Sequence, residues 1–246
     1  MKLLLIGAGN MGGAMLGGLK EYDITVVESH KPRAEELKSL FTDLKITDTI
    51  PNLDGYIVIL AIKPQALEQL QTNGIAKGVI SILAGTALKK IKDKIKAKSY
   101  IRAMPNIAAL KQKAVISVCG DENLKNISLQ ILSTIGKCFW LKSEKELDIA
   151  TGIGGSAPAW IALVAEALSD GAVKLGLSRE ISYKYAAYML EGTAELLKEE
   201  HPAILKDKVT SPGGTTAAGA AKLEEGKVRD SFIKAMQACY EKTQNL

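Results

Sequence analysis

The sequence is poor in the residues that build metal centres and disulfide frameworks. It contains two histidines and three cysteines, and Cys119, Cys138 and Cys239 lie far apart with no Cys-x-x-Cys spacing. This usage argues against a disulfide scaffold and against a zinc site, and it is typical of a protein in a reducing cytosol. We therefore expect no bound metal and a cytoplasmic location.

Long apolar runs and aromatic-rich basic tracts are also missing. No segment approaches the roughly 18 apolar residues that span a membrane, and glycines interrupt the run Leu3–Ile6 too early for a signal peptide. The net charge of +5 is mild, and no basic tract is interleaved with aromatic residues. We therefore expect neither a membrane nor a nucleic acid as partner, whereas small anionic ligands remain compatible with the charge.

A glycine-rich turn near the N-terminus is the first informative feature. The apolar run Leu3–Ile6 precedes a G-x-G-x-x-G pattern, and Met11 to Lys20 follow as a predicted helix. In such a pattern the glycines permit a tight turn, the approach of a pyrophosphate and close helix–strand packing. A turn without a ligand is the alternative. The residues expected to contact the cofactor here are Gly7, Gly9, Asn10, Met11 and Gly12.

The second predicted strand, Ile24–Val27, ends at residues suited to the adenosine ribose. Glu28 stands 21 residues after Gly7, close to the spacing expected for an acidic residue that binds the ribose 2′-hydroxyl of NAD. The following residues, Ser29, His30, Lys31 and Arg33, would instead suit the 2′-phosphate of NADP, or they form a solvated loop. We expect Glu28 and Ser29 to contact the cofactor, with NADPH favoured and NADH as the alternative.

Residues 1–150 alternate strand and helix patterns, which predicts an α/β Rossmann-type, doubly wound open sheet. Predicted helices include Leu88–Ile95 and Leu124–Ile135. The further predicted strands are Gly55–Ile62, Gly78–Leu83, Tyr100–Met104, Ala114–Cys119 and Cys138–Leu141.

Residues 151–246 show no convincing strand and read as an all-helical second domain. Apolar residues recur at i, i+3, i+4 and i+7 in the stretch Ile161–Leu168 and again in Ala186–Thr193. A domain of this size, rich in alanine, buries little apolar surface by itself. We therefore expect these helices to form a homodimer through their apolar faces.

The carboxyl ends of parallel strands form the ligand edge of an open α/β sheet. Ala61, Lys63 and Pro64 follow one predicted strand, and Asn106 follows another. Lys63 would approach cofactor phosphate or ribose, or it is a solvated lysine. Asn106 would contact the nicotinamide carboxamide or the substrate, or it forms an Asx turn after Pro105.

The segment Thr210–Thr216 reads Thr-Ser-Pro-Gly-Gly-Thr-Thr between two helical stretches. Small and rigid residues of this kind disfavour helix and strand. One interpretation is a connection whose second helix is capped by Thr215 or Thr216. The other is a loop of backbone N–H groups and hydroxyls that binds a small anion.

The two histidines restrict the group that such an enzyme would reduce. Carbonyl reduction usually needs a positioned proton donor, but His30 lies at the predicted adenosine end and His201 in an acidic turn. A cyclic imine that is protonated in water already accepts hydride at carbon. The protein then needs only to orient it and to bind its carboxylate.

Over almost its whole length the chain resembles the pyrroline-5-carboxylate reductases. The resemblance is strongest at Val209–Thr216, continuing through Gly219–Glu224. The other matching motifs are the N-terminal glycine motif, Leu60-Ala61-Ile62-Lys63-Pro64-Gln65, Ile80-Ser81-Ile82-Leu83-Ala84-Gly85 and Arg102-Ala103-Met104-Pro105-Asn106.

The resemblance implies NAD(P)H-dependent reduction of 1-pyrroline-5-carboxylate to L-proline, the last step of proline biosynthesis. It implies that Thr216 hydrogen-bonds the ring nitrogen and that Asn106 and Glu199 lie at or near the substrate pocket. It also implies an intertwined helical dimer, often assembled into larger rings. The residues implied for the substrate carboxylate are Ser211, Gly213, Gly214, Thr215 and Thr216.

Two segments depart from the family pattern. Gly154–Trp160 reads Gly-Gly-Ser-Ala-Pro-Ala-Trp where Ser-Gly-Ser-Gly-Pro-Ala-Tyr is common, and Ile107-Ala108 replaces Thr-Pro. Two other functions are alternatives. A β-hydroxyacid dehydrogenase needs a lysine that is missing between Lys145 and Lys174, and a nucleotide-sensing module would not need an anion-binding loop.

Overall fold

The computed structural model describes residues 1–244, which form one eight-stranded sheet and ten α-helices. The strands are β1 (Lys2–Ile6), β2 (Asp23–Val27), β3 (Lys45–Thr47), β4 (Tyr56–Leu60), β5 (Gly78–Ser81), β6 (Tyr100–Met104), β7 (Ala114–Gly120) and β8 (Gly136–Trp140). The helices are α1 (Asn10–Leu16), α2 (Lys31–Leu40), α3 (Leu88–Lys94), α4 (Glu122–Leu132), α5 (Glu144–Thr151), α6 (Ala157–Lys174), α7 (Arg179–Leu197), α8 (Pro202–Lys208), α9 (Thr215–Glu225) and α10 (Val228–Gln244). The other helical segments are two 3-10 helices, Pro64–Gln69 and Ile107–Lys111, and one π-helix, Gly152–Ser156.

The sheet has the strand order β3-β2-β1-β4-β5-β6-β7-β8, and its neighbouring strands are parallel except for the antiparallel pair β6–β7. Its central strands are apolar on both faces because each face is covered. In β1, Leu3 and Leu5 belong to one buried layer. Leu4 and Ile6 belong to the other. Continuous apolar runs of this kind are typical of parallel strands in doubly wound sheets, and the predicted fold class is confirmed.

One local prediction was wrong in detail, and two features were not predicted. The helix expected over Met11–Lys20 ends at Leu16, because Gly17 and Gly18 follow and a side chain at Gly18 would meet the Thr134 carbonyl oxygen at 2.5 Å. Strand β3 was missed, since one exposed and two half-buried residues give almost no periodic signal. The antiparallel direction of the β6–β7 pair was not predicted from the sequence either.

By compactness the chain divides into two units, residues 1–156 with the described residues 239–244, and residues 157–238. The first unit holds the sheet and both apolar layers. In residues 157–238 the one buried hydrophobic residue is Ala186, whereas Leu163, Tyr185 and Tyr188 are more than 60% exposed. This helical unit therefore has almost no core of its own.

One helical stretch, residues 144–174, is long and apolar enough to cross a membrane by length and composition. The expectation that no segment is apolar over a length sufficient to span a membrane was therefore wrong. One such helix is weak evidence of a membrane span, because the core helix of a soluble protein passes the same test.

Candidate functional site

The glycine turn after β1 requires glycine at two of its positions. Gly7 has a φ of +90°, and a side chain there would meet the Ala61 carbonyl oxygen at 2.9 Å. A side chain at Gly12 would stand 2.3 Å from the Gly7 carbonyl oxygen. A side chain at either position would prevent α1 from lying this close to the end of β1, so Gly7 and Gly12 are explained by packing alone.

Gly9 differs from the other two glycines, because a Cβ atom added there would meet nothing within 4 Å. It precedes α1 in an extended conformation, with a φ of −61°. No packing reason in the protein therefore excludes a side chain at Gly9. The open space beside its backbone fits the approach of a pyrophosphate to the turn.

Glu28 and Arg33 both hold the glycine turn, from opposite sides of Ala8. The Glu28 carboxylate accepts hydrogen bonds from Ala8 N at 3.0 Å and from His30 N at 2.9 Å. Arg33 Nε donates to the Ala8 carbonyl oxygen at 2.8 Å, and its Nη1 pairs with Glu36 at 2.7 Å. The sequence suggested Arg33 as a phosphate ligand or as part of a solvated loop, and it gave no sign of this support for the turn.

A cavity of about 360 Å³ lies where β2 and β3 end. Glu28, Ser29 and Lys31 line it together with Thr47 and Asp48. The structure thus brings the predicted ribose ligand and two of the predicted phosphate ligands to one opening. The exposed Ser29 and Lys31 supply a hydroxyl and a positive charge there.

The residues after β4 lie next to the glycine turn. Ala61 N donates to the Ile6 carbonyl oxygen at 2.9 Å, which continues the pairing of β1 with β4 beyond the strands. Lys63 is exposed and occupies the N-cap position of the 3-10 helix that begins at Pro64, without a side-chain capping bond. Pro64 occupies the first helical position, where its fixed φ and missing N–H are tolerated.

Asn106 is buried, and both ends of its side chain are bonded to backbone. Its Oδ1 accepts from Ala108 N at 3.2 Å, which caps the 3-10 helix Ile107–Lys111. Its Nδ2 donates to the Gly154 carbonyl oxygen at 2.7 Å, inside the π-helix. The bond to Ala108 supports the Asx-turn alternative, and the tie to Gly154 was not foreseen.

In the helical unit, Ser211 and Gly213 shape the turn that leads into α9. Gly213 has a φ of +71°, which favours glycine. Gly214 N donates to the Ser211 carbonyl oxygen at 3.1 Å. A side chain at Gly214 would meet Ser211 Oγ at 2.4 Å.

Gly214 is the N-cap of α9, so Thr215 and Thr216 are its first two helical residues. The alternative in which either threonine caps this helix is therefore wrong. Because the first hydrogen bond of the helix runs from Ala218 N to the Gly214 carbonyl oxygen, the preceding N–H groups have no partner within the helix. Both threonines are exposed, and this end of an 11-residue helix suits an anion.

Glu199 lies in the exposed segment between α7 and α8, where its N–H donates to the Leu196 carbonyl oxygen. The next residue, Glu200, forms an ion pair with Lys208 at the end of α8. This pair ties the Glu199 segment to the start of the Thr210–Thr216 loop. Sequence spacing alone did not indicate it.

Neither the Cys119 and Cys138 thiols nor a metal-binding cluster supports thiol or metal chemistry in the described residues. Burial raises the pKa of the Cys119 and Cys138 thiols to about 11, so both stay protonated at neutral pH. Residues 1–244 also contain no group of three or more His, Cys, Asp or Glu side chains that would hold a metal ion.

Two family models match the chain. Residues 144–246 match the model described as pyrroline-5-carboxylate reductase dimerisation. Residues 2–85 match the model described as NADP oxidoreductase, coenzyme F420-dependent. The second match covers the glycine turn, Glu28 and Lys63, and the first covers the loop before α9.

Curated relatives and solved structures match over the full length. The pyrroline-5-carboxylate reductases of Synechocystis and of Methanosarcina acetivorans are 38% and 34% identical; each match covers 100% of this chain, and 98% and 97% of the respective relative. The Streptococcus pyogenes enzyme, 27% identical, superposes with a TM-score of 0.86 over 100% of this chain and 99% of that one. The Plasmodium falciparum enzyme with NADP bound, also 27% identical, gives a TM-score of 0.79 over the same shares. The chain belongs to the pyrroline-5-carboxylate reductase family.

Proposed function

We propose that the protein reduces the cyclic imine 1-pyrroline-5-carboxylate to L-proline, with NADPH as the preferred cofactor and NADH as a poorer one. The observation that carries the proposal is the full-length match to this family, combined with an open helix N-terminus at Gly214–Thr216. In the reaction a hydride is added to the imine carbon while the nitrogen keeps its proton, so the C=N bond becomes a C–N bond.

The cofactor would be held by the glycine turn and the residues after β2 and β4. The open space at Gly9 fits a pyrophosphate, and the proposed contacts there also include Gly7, Asn10, Met11 and Gly12. When bound, the cofactor supplies the hydride. Ser29 and Lys31 in the cavity after β2 favour a 2′-phosphate, and the Plasmodium falciparum relative was solved with NADP bound. Glu28, Ala61, Lys63, Pro64 and Asn106 complete the proposed cofactor contacts.

The substrate carboxylate would be bound at the N-terminus of α9. Backbone N–H groups and the helix dipole there favour a negative charge. Ser211, Gly213 and Gly214 shape the turn, and Thr215 adds a hydroxyl. Glu199 stands on the neighbouring segment that the Glu200–Lys208 pair ties to the end of α8, and we place it near the same substrate.

Thr216 would hydrogen-bond the ring nitrogen and so orient the imine for hydride addition. A protonated imine needs no protein proton donor, which agrees with the positions of the two histidines. His30 lies beside Glu28, and His201 caps α8 through Ala203 N. Neither imidazole is required by the proposed chemistry.

The dimerisation model matched by residues 144–246 identifies the protein as a homo-oligomer, which accounts for the exposed apolar helix faces. We propose a homodimer as the basic unit, with a larger ring as a further assembly. We also place the reaction in the cytoplasm, which the free cysteines support.

The proposed function is tested by following the oxidation of NADPH and of NADH with 1-pyrroline-5-carboxylate as substrate. We expect turnover with both cofactors and a higher kcat/KM with NADPH. Hydroxyacids assayed with NADP+ in the oxidative direction serve as controls and should give no turnover. Absence of turnover with the imine would contradict the function, and a higher kcat/KM with NADH would contradict only the cofactor preference.

The role of Thr216 is tested by the pair Thr216→Val and Thr216→Ser. If the hydroxyl orients the imine in the transition state, the valine variant loses one hydrogen bond worth about 1–3 kcal/mol, and kcat falls accordingly. The serine variant keeps the hydroxyl and should retain most of kcat. A raised KM with unchanged kcat in the valine variant would instead assign Thr216 to carboxylate binding.

A further inference from the structure

Arg102 is a charged residue in the middle of the sheet, and the proposed chemistry has not used it. It lies on β6, and 5% of its side chain is exposed. Its Nη2 pairs with Asp148 at 2.7 Å and its Nη1 with Glu144 at 3.3 Å, both on α5. A buried guanidinium is costly unless it is paired, so these two carboxylates determine where the side chain lies.

Glu144 has a second partner, which extends the network to α3. Its Oε1 accepts from Leu88 N at 2.9 Å, the first N–H of that helix. The segment before Leu88, residues 82–87, leaves the carboxyl end of β5. Through Glu144, Arg102 is therefore linked to a loop at the ligand edge of the sheet.

A second tie joins the same two parts of the chain further along. Asn106 follows Arg102 by four positions and donates to the Gly154 carbonyl oxygen at 2.7 Å. Gly154 follows Asp148 by six positions, in the π-helix that continues α5. The end of β6 is thus held against one helical stretch at two points, at Arg102 by charge and at Asn106 by a hydrogen bond.

Stability alone is a poor explanation for this arrangement. A buried ion pair can often be replaced by apolar residues of similar volume without loss of stability. Arg102 Nε also has no hydrogen-bond partner. Among the described residues it is the one buried side-chain nitrogen or oxygen atom that lacks a partner. A site selected only for stability would have no reason to retain an unpaired buried donor.

We propose that Arg102 is a positioning residue that sets the loops following β5 and β6 for the nicotinamide half of the cofactor. The glycine turn follows β1 and the ribose residues follow β2, so an extended dinucleotide continues across the ends of β4, β5 and β6 in this strand order. Residues 82–87 and Met104–Asn106 are the segments there. The inference rests on the proposed function for the identity of the cofactor.

The test compares Arg102→Met and Arg102→Lys with wild type by calorimetric binding of NADPH and of adenosine 2′,5′-bisphosphate, a probe of the adenosine half alone. The lysine variant keeps the charge but lacks the fork that reaches both carboxylates. In both variants we expect NADPH to bind about 10-fold more weakly and kcat to fall by up to about 100-fold. The bisphosphate should bind within about two-fold of wild type, because its site is distant from Arg102.

Lys45→Met is the matched control, because it removes an ion pair with Asp23 at the start of β2 and β3. It should leave both binding constants and kcat unchanged. If Arg102→Met does not fold, Arg102→Lys decides by the same measurements. Variants that melt at lower temperature but keep wild-type NADPH affinity and kcat would overturn the inference. An inactive wild type would contradict the proposed function alone, since the comparison of the two ligands still tests Arg102.

Discussion

Gly9→Ala should fold and melt like the wild type without ligand, yet bind NADPH about 30-fold more weakly, a loss of about 2 kcal/mol. A Cβ at this position meets no protein atom within 4 Å, and the negative φ of Gly9 is open to alanine. The added methyl would instead occupy the space through which a pyrophosphate approaches the backbone N–H groups. Calorimetric titration with NADPH and thermal melting with and without it provide both measurements.

Gly12→Ala is the control for this prediction, because it changes the same turn for a different reason. Its Cβ would stand 2.3 Å from the Gly7 carbonyl oxygen, so α1 must move even when no ligand is present. We expect a lower melting temperature in the absence of NADPH, in contrast to Gly9→Ala. Wild-type NADPH affinity in Gly9→Ala would contradict a cofactor site at this turn.

The glycine turn shows how much of a site the spacing of residues in the sequence can predict. The motif and its distance to Glu28 predicted a turn and an acidic residue beside it, and the structure brings the two together. The role of Arg33 could not be predicted, because its bond to the Ala8 carbonyl oxygen joins residues 25 positions apart. Local patterns identify a motif, whereas the contacts that hold it rigid depend on tertiary packing.

The sheet was predictable from its apolar runs, and the departures have physical causes. Strands β1, β4, β5 and β6 are buried on both faces, so their composition alone identified them. Arg102 breaks that pattern and gave no signal in the sequence, because its two carboxylate partners lie more than 40 positions further along the chain. A buried charge is interpretable only when its partners are known.

The loop before α9 was predicted as a connection or as an anion site. Those interpretations differ in where the helix begins. A threonine at the N-cap would accept a hydrogen bond from the backbone of the first turn with its hydroxyl. Because Gly214 is the N-cap, Thr215 and Thr216 lie within the first turn and neither hydroxyl serves as the cap. The roles of Thr216 in hydride addition and of Glu199 near the substrate remain predictions.

The helical unit has apolar residues at helical spacing but almost no core of its own. The second large expected effect, on dimerisation, follows from this. Ile181, Tyr185 and Tyr188 follow one another at i, i+4 and i+7 on α7, and all three are exposed in the single chain. Elsewhere on this helix Ala186 and Ser182 are buried, and with Ser169 of α6 they provide the little burial that the unit has. Exposure of an apolar stripe of this extent to water is unfavourable, so we assign the stripe to the contact with a second copy of the chain.

Tyr188→Glu should therefore weaken the dimer by at least about 100-fold in Kd, because an unpaired charge would be buried in the contact. Ala187→Glu adds the same charge at an exposed neighbouring position of α7 outside the stripe, and we expect it to remain dimeric. Sedimentation velocity at decreasing protein concentration measures both. Because residues 157–238 lack a core of their own, dissociation should be accompanied by loss of helical circular dichroism. A Tyr188→Glu protein that stays dimeric with full helicity would show that the α7 stripe is not the contact between the two copies.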